Sequence, residues 1–220
     1  MWKARGGLGA LLFRYALAIF CACAVLHGWG SALARGPYED PNTAEGWALP
    51  LIQRGDTADF NVRCHTPALD PMDEKDARWG DDCRKLSARF LQDLLTRAPW
   101  REAIPFVGID IKGARIVGDL DLQNVKLIRA LSIAASRIED AILLVHARTD
   151  SVILLQGSLM KGSFDADSLH SDSDLFLRNG SVFRDEVKLN NAKIDGNVEL
   201  MAPASTASWT PARYVSAAIY

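Results

Sequence analysis

From residue 114 onward, apolar side chains occupy every second position in short runs. Ala114, Ile116, Gly118, Leu120 and Leu122 alternate with Arg115, Val117, Asp119 and Asp121. A period of two is that of a strand with one face buried. The run returns as Ser136, Ile138, Asp140, Ile142 and Leu144, then as Ser158, Met160, Gly162 and Phe164. It returns again as Ser181, Phe183, Asp185, Val187 and Leu189, and as Ala192, Ile194, Gly196, Val198 and Leu200. Weaker copies lie at residues 127–133, 153–155 and 175–177. The large anchors Ile116, Leu127, Ile138, Met160, Phe183 and Ile194 recur at about 11 residues or a multiple of it, so the unit is about 11 residues, or about 22 for two. One such unit cannot bury its apolar face alone, but a stack of them can. A hairpin meander should carry Asn-Gly or Asp-Gly at each reversal, and this stretch has only two such pairs, Asn179-Gly180 and Asp195-Gly196. Small residues before each anchor, and Gly or Asp after it, suit corners around a narrow interior. The expectation is a mostly β chain, coiled as a four-sided parallel solenoid over residues 106–202, with about four turns.

Proline places the boundary of that solenoid. It occurs at 99 and 105 and then not until 203, and residues 106–202 also lack Cys, Trp and Tyr. Proline cannot donate to a strand ladder, so its absence fits unbroken pairing. Residues 35–105 read as loop-rich, with one helix over about residues 82–97. Asp81 and Asp82 suit the positive end of its dipole, Leu86, Phe90, Leu91, Leu94 and Leu95 form one apolar stripe, and Pro99 stops it. That stripe is expected to cap the first coil. Residues 203–220 lose the repeat and read as an irregular tail.

The first 34 residues read as an address. Lys3 and Arg5 precede a continuous apolar run over residues 15–26, and Ser31-Ala32-Leu33-Ala34 offers a cleavage site. This is the pattern of a secretory signal peptide. The run is shorter than the roughly 20 residues a spanning helix needs, and an uncleaved anchor is the alternative. Without this segment the net charge moves from −2 toward the acidic side, because Lys3, Arg5 and Arg14 leave and no acid does. Neither form carries the basic footprint of a nucleic-acid binder. Cys64 and Cys83 are the cysteines that remain. In an exported chain they are expected to form one disulfide; the competing reading is a metal pair with His65.

The segments GIDIKGARIVGDLDL and GSVFRDEVKLNNAKIDGNVEL resemble pentapeptide-repeat and related right-handed β-helix proteins. A closer likeness is to a bacterial exported group with GARIxGxLDL repeats, sometimes labelled membrane-associated oxidoreductases, seen here at residues 113–122 and 154–167. The resemblance implies a right-handed quadrilateral β-helix. The oxidoreductase label finds no dinucleotide fingerprint, haem attachment motif or iron–sulfur spacing in this chain.

Candidate chemistry is sparse. The run FDADSLHSDSD offers Asp165, Asp167, His170 and Asp172 as weak cation or acid/base candidates. The bland reading of the same residues is a solvated face with corners. His146 reads as a wall residue in an apolar strand. No HExxH, GxSxG or P-loop is present, and no cofactor or metal site is assigned. Outward charges, among them Asp119, Asp121, Arg137, Glu139, Arg184, Lys193 and Asp195, are expected to tolerate substitution. The functional expectation is an exported scaffold or binding protein of the bacterial envelope, without catalysis, which meets a protein or polymer on flat coil faces. A β-helix carbohydrate-active enzyme and a membrane-anchored accessory subunit are the alternatives. Periplasmic or secreted location, an inner-membrane anchor if residues 1–34 persist, and self-association through the last coil complete the expectations.

Overall fold

The computed structural model describes residues 36–200 and the backbone of the strand Val215–Ala217. The expected signal or anchor over residues 1–34 lies outside the described residues. The alternating runs fold into a β-solenoid whose strands form four sheets, one per side of the coil. Wall I stacks Ile109–Lys112, Leu131–Ala134, Ile153–Gln156, Leu175–Arg178 and Val198–Leu200. Wall II stacks Arg115–Val117, Arg137–Ile138, Leu159–Met160 and Val182–Phe183. Leu120–Asp121, Ile142–Leu143, Phe164–Asp165 and Val187–Leu189 make wall III. Lys126–Leu127, Arg148–Thr149, His170–Ser171 and Lys193–Ile194 make wall IV. Pairing is parallel throughout these walls.

Register gives the length of a coil. Ile116 pairs Ile138, Ile138 lies over Met160, and Met160 pairs Phe183, intervals of 22, 22 and 23 residues. The extra residue belongs to the corner Asn179-Gly180, because Gln156 still pairs Arg178 while Leu159 pairs Val182. The 11-residue interval is also real. Left-handed backbone recurs at Gly113, Asn124, Ala135, His146, Gly157, Ser168, Asn179 and Asn191, alternately at the corner between walls I and II and the corner between walls III and IV. One coil is thus two half-turns of about 11 residues, each with a residue of positive φ at its corner; Gly118 and Gly180 add further positive-φ positions. This corrects the expectation for His146: it is an exposed corner residue at φ 56°, not part of a wall.

The interior is filled by the predicted alternate residues. Ile116, Ile138, Met160, Leu120, Ile142 and Phe164 are all buried. One inward column is hydroxylic: Ser136, Ser158 and Ser181, beginning at Ala114. Ser136 Oγ accepts from the Ala114 N–H at 3.1 Å, Ser158 Oγ from the Ser136 N–H at 3.1 Å, and Ser181 Oγ from the Ser158 N–H at 3.3 Å. Each hydroxyl in turn donates to a carbonyl of the same corner, Ala134 O, Gln156 O and Arg178 O respectively. The column therefore satisfies corner amides that a purely apolar core would leave unpaired.

The segment before the repeats is already part of the coil. Ala58–Asp59 pairs Ile111–Lys112 on wall I, and Lys85–Ser87 pairs Arg115–Val117 on wall II. Between them residues 60–84 leave the coil at a corner where the next turn has only Gly113 and Ala114. The expected helix over residues 82–97 is correspondingly shorter. Asp82–Arg84 is a 3-10 turn, Lys85–Ser87 is strand, and helix α3 spans Ala88–Thr96 with Ser87 as its cap. Leu86 fits the helical stripe in spacing but points into the coil. Packed on Leu120–Asp121 and Lys126–Leu127, α3 stands where coil zero would continue and covers that end, as expected of a cap.

Two helices precede it: α1 spans Ala44–Arg54 and the single turn α2 spans Phe60–Arg63. α1 departs from the loop expected around Pro50, which sits exposed within the helix. Its true signals are the Thr43 cap, which accepts from the Gly46 N–H, and the buried face Ala44, Ala48, Leu49 and Ile52. At the other end of the chain, Val215–Ala217 pairs Val187–Leu189 and continues wall III, so the expected irregular tail contains a further rung.

Candidate binding surfaces

Cys64 and Cys83 are bonded, with their Cα atoms 5.5 Å apart, and close the base of the excursion 60–84. That excursion lies over the outer face of wall II. Trp79, 2% exposed, sits between two guanidiniums, Arg137 at 4.6 Å and Arg84 at 5.1 Å from its ring centre. Arg137 donates to Pro71 O at 2.8 Å and to Asp73 O. Arg84 donates to Gly113 O at 2.7 Å and to Thr66 Oγ1 at 2.9 Å. Burial pulls the pKa of both guanidiniums down, yet arginine stays charged. Arg184 reaches Glu74 at 2.9 Å, and Leu159 and Leu69 are buried on this face. Arg137, expected as a free outward charge, is instead 4% exposed and pins the excursion. Glu139 beside it is held below the ordinary glutamate range. Burial opposes that, but Lys161 at 2.8 Å and Arg115 at 2.9 Å outweigh it.

The acid and histidine candidates do not converge. Asp165 lies on wall III, its Oδ1 accepting from the Asp167 N–H at 3.2 Å and its Oδ2 3.7 Å from Lys188 Nζ. Asp167 caps the next coil, accepting from the Asn190 N–H at 2.7 Å and from Asn190 Nδ2 at 3.2 Å. Past the left-handed residue Ser168 the chain turns to wall IV, where His170 and Asp172 are exposed. Asp140, Asp119 and Asp174 do the same corner work, each accepting a backbone N–H from a neighbouring coil. Among the described residues no group of three or more His, Cys, Asp or Glu is placed to hold a metal ion.

An open groove of about 600 Å³ runs past the start of α1, lined by Asn42, Glu45, Arg63, Lys85 and Ser87 among others. Its best-placed charges already have structural partners. Glu45 accepts from the Ser87 N–H at 3.0 Å, and Arg63 donates to Cys83 O at 2.8 Å and Asn42 O at 2.7 Å.

The outer faces of walls I, III and IV carry regular columns. On wall I, Asp110, Ser132, Leu154, Phe176 and Glu199 stand in register, with Lys112, Ala134, Gln156 and Arg178 beside them. The Arg178 guanidinium lies 4.3 Å over the Phe176 ring and 3.0 Å from Glu199. On wall IV, Lys126, Arg148, His170 and Lys193 stand in register. Sequence reasoning missed this column, although its spacing of 22, 22 and 23 residues is legible once the coil length is known. No family model, curated protein or solved structure matches this chain.

Proposed function

We propose that this protein is an exported, non-catalytic binding scaffold of the bacterial envelope. The observation that carries this reading is the set of outward columns in register on walls I, III and IV, beside a wall II already occupied by the chain's own excursion. A regular, flat, repeated face is complementary to an extended polymer or another protein surface rather than to a small molecule, which takes a concave pocket. Wall I is the face we assign to the ligand, because Leu154 and Phe176 give it an apolar strip flanked by Arg178. Export is supported by the charged and apolar pattern of residues 1–34 and by the Cys64–Cys83 bond, which suits an oxidising compartment. Kinship with pentapeptide-repeat-like proteins is supported by the small-then-large inward pattern on a four-sided coil.

The test begins with the full chain expressed in a Gram-negative host. The periplasmic fraction should yield a mass lacking residues 1–34 and two hydrogens lighter than the reduced form. That material is then sedimented with isolated envelopes beside a Leu154→Asp/Phe176→Asp variant. The variant should be retained at least about tenfold less. Equal retention, or soluble sugars released from the envelope, would overturn the reading.

A further inference from the structure

Wall IV carries two charge columns of opposite sign. Lys126, Arg148, His170 and Lys193 form one. Two residues farther along each strand stand Ile128, Asp150, Asp172 and Asp195. The last three are fixed in register by N–H donation to Leu127 O, Thr149 O and Ser171 O. All eight side chains are exposed. Rungs lie about 4.8 Å apart along the coil axis, and the columns are about 6.6 Å apart along the strands. Lys126 and Asp150 pair within the wall at 2.8 Å. Among the described residues no ion pair engages Arg148, Asp172, Lys193 or Asp195.

We propose that wall IV docks on wall IV of a second copy of this chain, about a two-fold axis parallel to the coil axis. The charge pattern selects both the partner and the axis. A two-fold along the coil axis exchanges the columns left for right and keeps each rung at its height. Arg148 of one copy then faces Asp150 of the other, His170 faces Asp172, and Lys193 faces Asp195. A two-fold along the strand direction would oppose the basic column to itself. A linear polyanion laid on the basic column would run beside three aspartates, whereas a second copy supplies a cation opposite Asp150 and Asp195 and an imidazole opposite Asp172. An isologous contact of this kind closes at a dimer and leaves the coil edges free.

The face is small, about 20 Å by 10 Å from four rungs and three residues, well under the roughly 800 Å² per partner of a standard interface. The association is therefore weak and strongly salt-dependent, with a Kd on the order of 0.1 mM at low ionic strength. It does not depend on export or on the wall I ligand. Full chains labelled with donor and acceptor dyes, kept in mild detergent, give a concentration-dependent energy transfer that reads it. The Kd should rise at least about tenfold between about 20 mM and 500 mM salt. Arg148→Glu/His170→Glu makes the wall acidic, and Asp150→Lys/Asp172→Lys makes it basic. Each variant alone should lose the signal, and an equimolar mixture of the two should recover it. No transfer from the unaltered chain up to about 1 mM, variants that associate like it, or a mixture that stays monomeric would each overturn the proposal.

Discussion

The serine column shows how a single side chain is chosen at a corner. Ser158 accepts from the Ser136 N–H and donates to Gln156 O, so it serves two coils at once. Ser158→Ala leaves the Ser136 N–H buried without its acceptor and should lower stability by about 1–2 kcal/mol in urea unfolding. Ala135 makes the opposite case. It holds φ 44° at a corner where the equivalent positions are Gly113, Gly157 and Asn179, residue types that tolerate left-handed backbone better than alanine. Ala→Gly ordinarily destabilises, but here the strain of a Cβ in left-handed backbone is relieved. Ala135→Gly should raise stability by about 0.5–1 kcal/mol, and a loss would place the corner in another conformation. The alternation of Ile116, Ile138 and Met160 is legible in the sequence because it is local. The serine partners are not, since each acceptor lies a coil away.

At the scale of elements, the N-terminal segment is a coil with one corner drawn out. Local pattern misassigns it because the evidence for coil zero is pairing across the chain: Lys85–Ser87 is a strand through Arg115–Val117, not through anything in its own spacing. The same is true of the excursion, whose hold on wall II comes from Arg137 and Trp79 rather than from a motif. Arg137→Ala removes the donor to Pro71 O and one face of the Trp79 stack, at a cost of about 2–4 kcal/mol to the docking of this lobe. The prediction is early proteolytic cleavage within residues 60–84 and red-shifted tryptophan emission, with the coil intact.

α3 carries a second dependence, on pH. The Tyr38 hydroxyl donates to Asp93 Oδ2 at 2.8 Å, while Arg89 and Arg97 stand 3.0 and 3.1 Å from Oδ1 at ion-pair distance, without the angle for a hydrogen bond. Burial first, then the bond to Asp93, pushes Tyr38 up to about 12. The unfolded tyrosine titrates near about 10. The folded chain therefore keeps a proton that the unfolded chain releases, and stability should fall as pH rises from about 10 to 12, by no more than about 2 kcal/mol. Tyr38→Phe should remove that part of the slope in a pH series of thermal unfolding; an unchanged slope would detach it from Tyr38.

The whole molecule poses a question that its half-turn symmetry makes sharp: whether the working unit is 11 residues or 22. In a stacked array stability is a sum over units and their interfaces, so removing one true unit shortens the protein without unmaking it. Deleting residues 153–174 joins Val152 to Leu175, which takes the place of Ile153. Ser181 then meets the Ser136 N–H in place of Ser158, and Val182 replaces Leu159 beneath the excursion. The serine column and the walls keep their chemistry, while Asp185 takes the place of Gly162 against the Asp140 backbone, a close approach that this corner must widen to accept. Deleting residues 153–163 preserves the in–out alternation equally well, since both half-turns share it. It nevertheless brings Leu169 to the serine column, where the Ser136 N–H needs an oxygen, and His170 to the face that Leu159 fills under the excursion. The full-coil deletion should unfold cooperatively with a smaller urea m-value, in proportion to the surface lost. The half-coil deletion should lose the cooperative transition and expose the excursion to protease. Equal stability of the two would mean that the hydrophobic pattern alone specifies the coil. The expected difference would show that the two halves of each turn, alike in shape, are told apart by the hydrogen bonds at one corner and the cover on one wall.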